Sequence, residues 1–208
     1  MATTLMQLRR LVRSRLGIPM SDDFMTDSVL DDAINLAMQT IDAENRWPWS
    51  EAAQIATISV DNPDIVPPDN WRTTRAVFYG ESELAYISPL DMMTWLDDEA
   101  SSDVPKVWSP LAGVIAVRPT PGAASDLRHY FYVQTPWLRD DDDVPLIPAQ
   151  YAGAIVAKAA ELLATRESSG GDAARHGVEF TAWLTRMRQD VRNVTGPTRT
   201  RVRPGGWI

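Results

Sequence analysis

Apolar residues recur every three or four positions at both ends of the chain and every second position through its middle. Near the start, Leu5, Leu8, Leu11, Val12 and Leu16 fall on one helical stripe, with Thr3 or Thr4 available as a cap and Gly17 and Pro19 to end it. A second stripe, Val29, Leu30, Ala33, Ile34, Ala37, Met38 and Ile41, predicts a helix over about 27–44. Ser28 with Asp31 offers a capping pair near its start, and Trp47-Pro48-Trp49 closes it. Toward the other end, Ala152, Ile155, Val156, Ala159 and Leu163 predict a third helix over about 149–166. After the break at Ser168-Ser169-Gly170-Gly171, a fourth follows over about 172–193, with Ala173, Phe180, Trp183, Leu184, Met187 and Val191 inward.

Between these pairs the period drops to two. Residues 52–60, 71–79, 83–89, 106–111, 114–119 and 127–138 read as extended. Gly80-Glu81 marks a hairpin, and Ser88-Pro89 opens a short helix with serine as N-cap and proline at the first helical position. Each terminal helix pair has a single apolar stripe and cannot bury it alone. The expected class is therefore α+β: a four-helix bundle built from the N- and C-terminal pairs, with a small antiparallel β region inserted between them. The expected divisions are 1–49 and 148–194 for the bundle, 50–147 for the β insertion with its short helix, and 195–208 for an extended basic tail.

Charge sharpens that division. The net charge is −8, yet Arg199, Arg201 and Arg203 make the last 14 residues +3, leaving −11 on the rest. A body so acidic should repel a phosphate backbone rather than grip it. There is no cysteine, so disulfides, thiolate metal sites and cysteine nucleophiles are excluded. No apolar run approaches a membrane span, and MATTLMQLRR lacks the features of a secretory signal, so neither membrane nor export is expected.

Catalytic chemistry has little to stand on. The chain contains no GxSxG, HExxH, Walker loop or GxGxxG pattern, and Gly170-Gly171 follows a helix instead of a strand. His129 and His176 are the only histidines; alternation beside Tyr130 is read as placing His129 at a solvent-facing rim, and neither has a visible partner. No catalytic, cofactor or metal residues are assigned. Asp140, Asp141, Asp142 and Asp143 lack the spacing of a calcium loop. They read as a solvated acidic loop, with an acidic patch at a channel wall or interface as the sharper reading. Trp183 is expected in the helical core, Trp71, Trp108 and Trp137 in the β insertion, and Trp47 and Trp49 at the joint between the two.

Four stretches, in order, carry a family resemblance: INLAMQTIDAENRWPW (34–49), the hairpin leading into AYISPLDMMTWLDD (85–98), VIAVRPTPGAASDLRHYFYVQTPWLRDDDDVPLIPAQYAGAIVAKAAELLA (114–164), and the last helix with its irregular tail. Together they resemble the head-to-tail adaptor, or connector, proteins of tailed bacteriophages, including the tail-tubular-A type of short-tailed phages. The resemblance implies a structural virion protein of the head–tail junction, without catalytic residues and assembled in the host cytoplasm. It implies a ring, usually dodecameric, that sits beneath the portal, joins it to tail or stopper components, and passes double-stranded DNA through its centre. The arginine-rich end departs from the short-tailed members. A small helical-bundle enzyme and a DNA-binding accessory protein remain the alternatives.

The last residues, TRTRVRPGGWI, fit an assembly role. Fourteen extended residues reach about 45 Å, far enough to leave their own subunit. Arg199, Arg201, Arg203, Trp207 and Ile208 are the candidate docking residues, because arginine and tryptophan most often dominate interface energy. They are expected to clamp the portal or an adjacent protomer.

Overall fold

The computed structural model describes residues 3–19, 24–97, 104–166 and 170–195. It is α+β and divides into two compact units, Met1–Trp49 with Trp137–Ile208, and Ser50–Pro136.

The first unit is helical: α1 (Leu5–Leu16), α2 (Asp27–Glu44), α4 (Ala152–Arg166) and α5 (Gly170–Thr195). Thr4 caps α1 through a reciprocal box with Gln7, and Gly17 ends it in the left-handed conformation, φ 68°. α2 is capped by Thr26, whose hydroxyl accepts from the Val29 amide, two residues earlier than the Ser28–Asp31 pair suggested. Its end is closed by Trp47, whose indole N–H donates to the Ile41 carbonyl at 2.7 Å, satisfying a last-turn acceptor. Trp47 is fully buried and stacks on Trp49 at 4.8 Å, which in turn meets Tyr151 at 5.5 Å.

α4 is the hub. It packs against α1, α2 and α5, and all four helices contribute to one apolar core. Its alanines make this possible: Ala154, Ala157, Ala159, Ala160 and Ala164 are buried on several sides. The expected inward stripe of α1 holds except at Leu11, which is 46% exposed. α4 meets α5 tightly at Gly153, where an added Cβ would lie 2.3 Å from the Trp183 ring. Gly153→Ala is therefore expected to cost about 1–3 kcal/mol through overpacking, despite alanine's better helix propensity. Denaturant unfolding of the variant checks this. The returning chain also belongs to this unit, with Leu138 and Ile147 in its core; Trp137, expected among the strands, lies here and is 46% exposed.

The second unit has two sheets and one parallel strand pair, which corrects the expectation of a small antiparallel insertion. Its strands are β1 (Glu51–Ile58), β2 (Trp71–Tyr79), β3 (Ser82–Glu83), β4 (Ala85–Tyr86), β5 (Val107–Leu111), β6 (Val114–Arg118) and β7 (Ser125–Val133), with helix α3 (Pro89–Asp97). They form one sheet of order β1-β7-β2-β3 and another of order β4-β5-β6. The β2–β3 hairpin forms around Gly80, but its second arm divides. Leu84 is buried, and after it the chain leaves β2 to pair in parallel with β5, Tyr86 opposite Trp108. Ile58, Val77 and Leu127 from the first sheet share a core with Trp108, Ile115 and Val117 from the second. Ser88 caps α3 as expected, accepting from the Asp91 amide at 3.1 Å, and Met92 packs with Val107 and Ala116.

Candidate interaction surfaces

The acidic run 140–143 is built into the helical unit. The Asp143 carboxylate accepts from the Arg139 and Asp140 amides at 2.6 and 2.9 Å, folding the loop back on itself. This turn aims its backbone carbonyls at α1: the Leu5 amide donates to Asp143 and the Met6 amide to Asp141. Two of the orphan N–H groups at the helix start are thereby satisfied. α1 has no acid in its own first turn, so the loop also supplies the negative charge that the positive end of the helix favours. Arg9, one turn on, donates to Asp31 and to Asp141 at 2.5 Å each, and its side chain is 11% exposed. These carboxylates hold the Arg9 guanidinium above its already high ordinary pKa.

Asp141 and Asp143 are therefore structural ligands of α1, although Asp141, like Asp140 and Asp142, is exposed. The amide hydrogen bonds hold Asp143 below the usual carboxylate range. Their stabilisation is present at neutral pH and is lost as pH falls through the folded-state value. Arg9→Ala leaves Asp31 and Asp141 without their shared cation and is expected to cost about 1–2 kcal/mol. Thermal unfolding of the variant measures that cost, and faster amide exchange at Leu5 and Met6 would locate it.

His129 is fully buried, which corrects its expected rim position. It shares the inner face of β7 with Leu127, Phe131 and Val133. Gln54 Nε2 lies 3.1 Å from its Nδ1, and Thr74 Oγ1 lies 2.9 Å from its Nε2. Because the Gln54 nitrogen is a donor, Nδ1 is the acceptor and Nε2 carries the proton toward Thr74. Burial pushes its pKa down to about 4. His176 is also buried, and its pKa is lowered by desolvation and then by Arg175 and Arg15. Among the described residues no group of three or more histidines, cysteines or carboxylates is placed to hold a metal ion.

Surface chemistry that the sequence reading passed over lies on the outer face of the four-stranded sheet. A depression of about 310 Å³ is lined by Glu51, Arg75, Phe78, Glu83, Arg128 and Tyr130. Arg75 pairs with Glu51, Arg128 lies 5.7 Å from the Phe78 ring centroid, and Phe78 meets Tyr130 edge-on at 5.6 Å. Alternation along β7 carries the signal: Arg128, Tyr130 and Tyr132 face opposite to His129. Tyrosine and arginine are the residue types enriched at protein interfaces. A separate apolar surface is offered by Tyr86, Leu90 and Met93, each more than half exposed. The candidate docking residues Arg199, Arg201, Arg203, Trp207 and Ile208 lie outside the described residues.

A family model described as SU10 adaptor protein matches residues 3–201. The chain belongs to the SU10 adaptor family. This is a phage head-to-tail adaptor family, so the match covers both units and agrees with the resemblance read from the four ordered stretches. A comparison with curated proteins returned no match. Among the described residues no helix is long and apolar enough to cross a membrane.

Proposed function

We propose that this adaptor forms a ring, dodecameric as the family resemblance implies, beneath the portal of a tailed phage. There it joins the portal to tail or stopper components and lines part of the DNA path at the virion head–tail junction. The single observation that carries this reading is the family match, which runs through both units and into the basic tail. Charge supports a conduit: residues before the tail carry −11, and a strongly acidic wall lets a polyanion slide without holding it. Arg199, Arg201, Arg203, Trp207 and Ile208 supply a docking arm for the portal or a neighbouring protomer.

Each arm contributes modestly after the entropy of ordering it, and a ring presents many at once, so avidity sets the strength of attachment. Negative-stain microscopy of the chain mixed with portal rings tests the proposal; an added annulus below the portal is expected. Removal of residues 198–208 should leave the body folded and abolish co-purification with portal. Undiminished co-purification would show that the arm is not the attachment device. A protein that stays monomeric beside portal would remove the ring itself.

A further inference from the structure

β1 is an edge strand of its sheet among the described residues. It pairs with β7 along all eight residues, and no strand pairs with its other side among the described residues. Edge strands in soluble proteins carry lysines, prolines or bulges that discourage pairing with another chain. β1 reads EAAQIATI, with a regular register and one charge, at Glu51. Ala53 and Thr57 are exposed and Ile55 is 73% exposed. Such an edge is a template for an added strand.

The chain itself contains a segment of strand length and matching pattern. Beyond α5, Gly196-Pro197 and Pro204-Gly205-Gly206 bracket six residues, Thr198-Arg199-Thr200-Arg201-Val202-Arg203. Helix is disfavoured at both brackets, and six residues is a common strand length. In an extended conformation Arg199, Arg201 and Arg203 share one face while Thr198, Thr200 and Val202 share the other. Beside β1, the small and β-branched face extends the half-buried row Ala52, Gln54 and Ala56. The arginine face then lies along the outer row, where Glu51 pairs with Arg75, exposed Arg128 stands opposite Ile55, and exposed Asp126 stands opposite Thr57. The opposite facing would set three arginines against the apolar side, so the pattern selects one orientation.

We infer that residues 198–203 of one protomer add as a fifth strand to the β1 edge of a neighbouring protomer. This rests on the ring proposed above and names the acceptor for its arm. The charge asymmetry between an acidic body and a basic arm favours this pairing over β1 with a second β1.

The absence of native cysteine makes a clean test of the full-length chain. Ala53→Cys and Arg201→Cys variants, one of them tagged, are mixed, assembled with and without portal rings, and oxidised. Val178→Cys, 73% exposed on α5, replaces Ala53→Cys as the background control. A disulfide joining the 53 and 201 variants, formed at least about tenfold faster than the 178–201 product, is the expected result. Equal rates, or a dominant 53–53 product showing β1 paired with itself, would overturn the inference. Sedimentation of the same samples separates the two proposals: a ring without the 53–201 product sinks only the acceptor, whereas a monomer in every condition sinks both.

Discussion

Asn35→Ala is expected to destabilise the helical unit by about 2–4 kcal/mol, more than any surface substitution. Asn35 lies in the middle of α2 and is buried. Its side-chain amide donates to the Leu138 carbonyl at 3.0 Å, and its carbonyl accepts from the Leu138 amide at 2.8 Å. One side chain therefore satisfies both backbone groups of a buried residue 103 positions away, where the chain re-enters the helical core after the strands. No secondary structure pairs Leu138, and alanine cannot replace either bond, so two buried backbone groups lose their partner.

Asn35→Asp sharpens the test. An aspartate keeps the acceptor for the Leu138 amide but turns a lone pair toward the Leu138 carbonyl, so it should be as damaging as alanine at neutral pH. Protonation restores a donor, so part of the loss should return in acid. Urea unfolding, with hydrogen exchange at Leu138 as the local probe, measures both. Wild-type stability in Asn35→Ala would mean the re-entry point is held by its apolar neighbours instead.

The sequence disclosed some of this and concealed the rest for physical reasons. Helix existence was plain because each stripe is long and periodic, and the strands over 51–58, 71–79, 107–111 and 114–118 fall close to where alternation put them, whereas the expected 83–89 divides and the expected 127–138 ends at Val133. Asn35 was hidden because a lone asparagine on an apolar stripe says nothing about a partner beyond the β unit. The same distance hid the partnership of Arg9 with Asp141, so the acidic run looked like a free patch. The parting of β3 from β4 depends on β5, which follows about twenty residues later, and no local turn signal encodes it. His129 is a different case. Leu127, Phe131 and Val133 place it on the apolar face by simple alternation, whereas the rim expectation set the phase of that alternation from Tyr130 alone. The docking residues were chosen for composition and lie outside the described residues, so their role rests on the experiments above.

That buried histidine gives the second large effect, a loss of stability in the sheet unit as pH falls from about 6.5 toward 4. In the folded chain the His129 pKa is about 4, against 6.5 ordinarily, because burial penalises the imidazolium. Between those values the unfolded chain binds a proton that the folded chain refuses, so acid favours unfolding and stability rises with pH through this window. One pKa unit is worth about 1.4 kcal/mol, and with partial solvent screening the loss is about 2 kcal/mol. Protonation at Nδ1 would also set a second donor against the Gln54 nitrogen, breaking the tautomer that the relay to Thr74 requires. His129→Leu removes the titrating group while keeping an apolar side chain between Leu127 and Phe131. Gln54 retains the Val66 carbonyl, and the Thr74 hydroxyl retains the Trp71 indole N–H, so neither is stranded. The variant should be near wild type at pH 7 and more stable than wild type at pH 4.5. Other carboxylates titrate in both proteins, so the readout is the difference in urea midpoint between them across pH 4–7, with hydrogen exchange in β7 assigning it to the sheet unit. A difference that stays constant with pH would mean that His129 accepts its proton without opening the sheet.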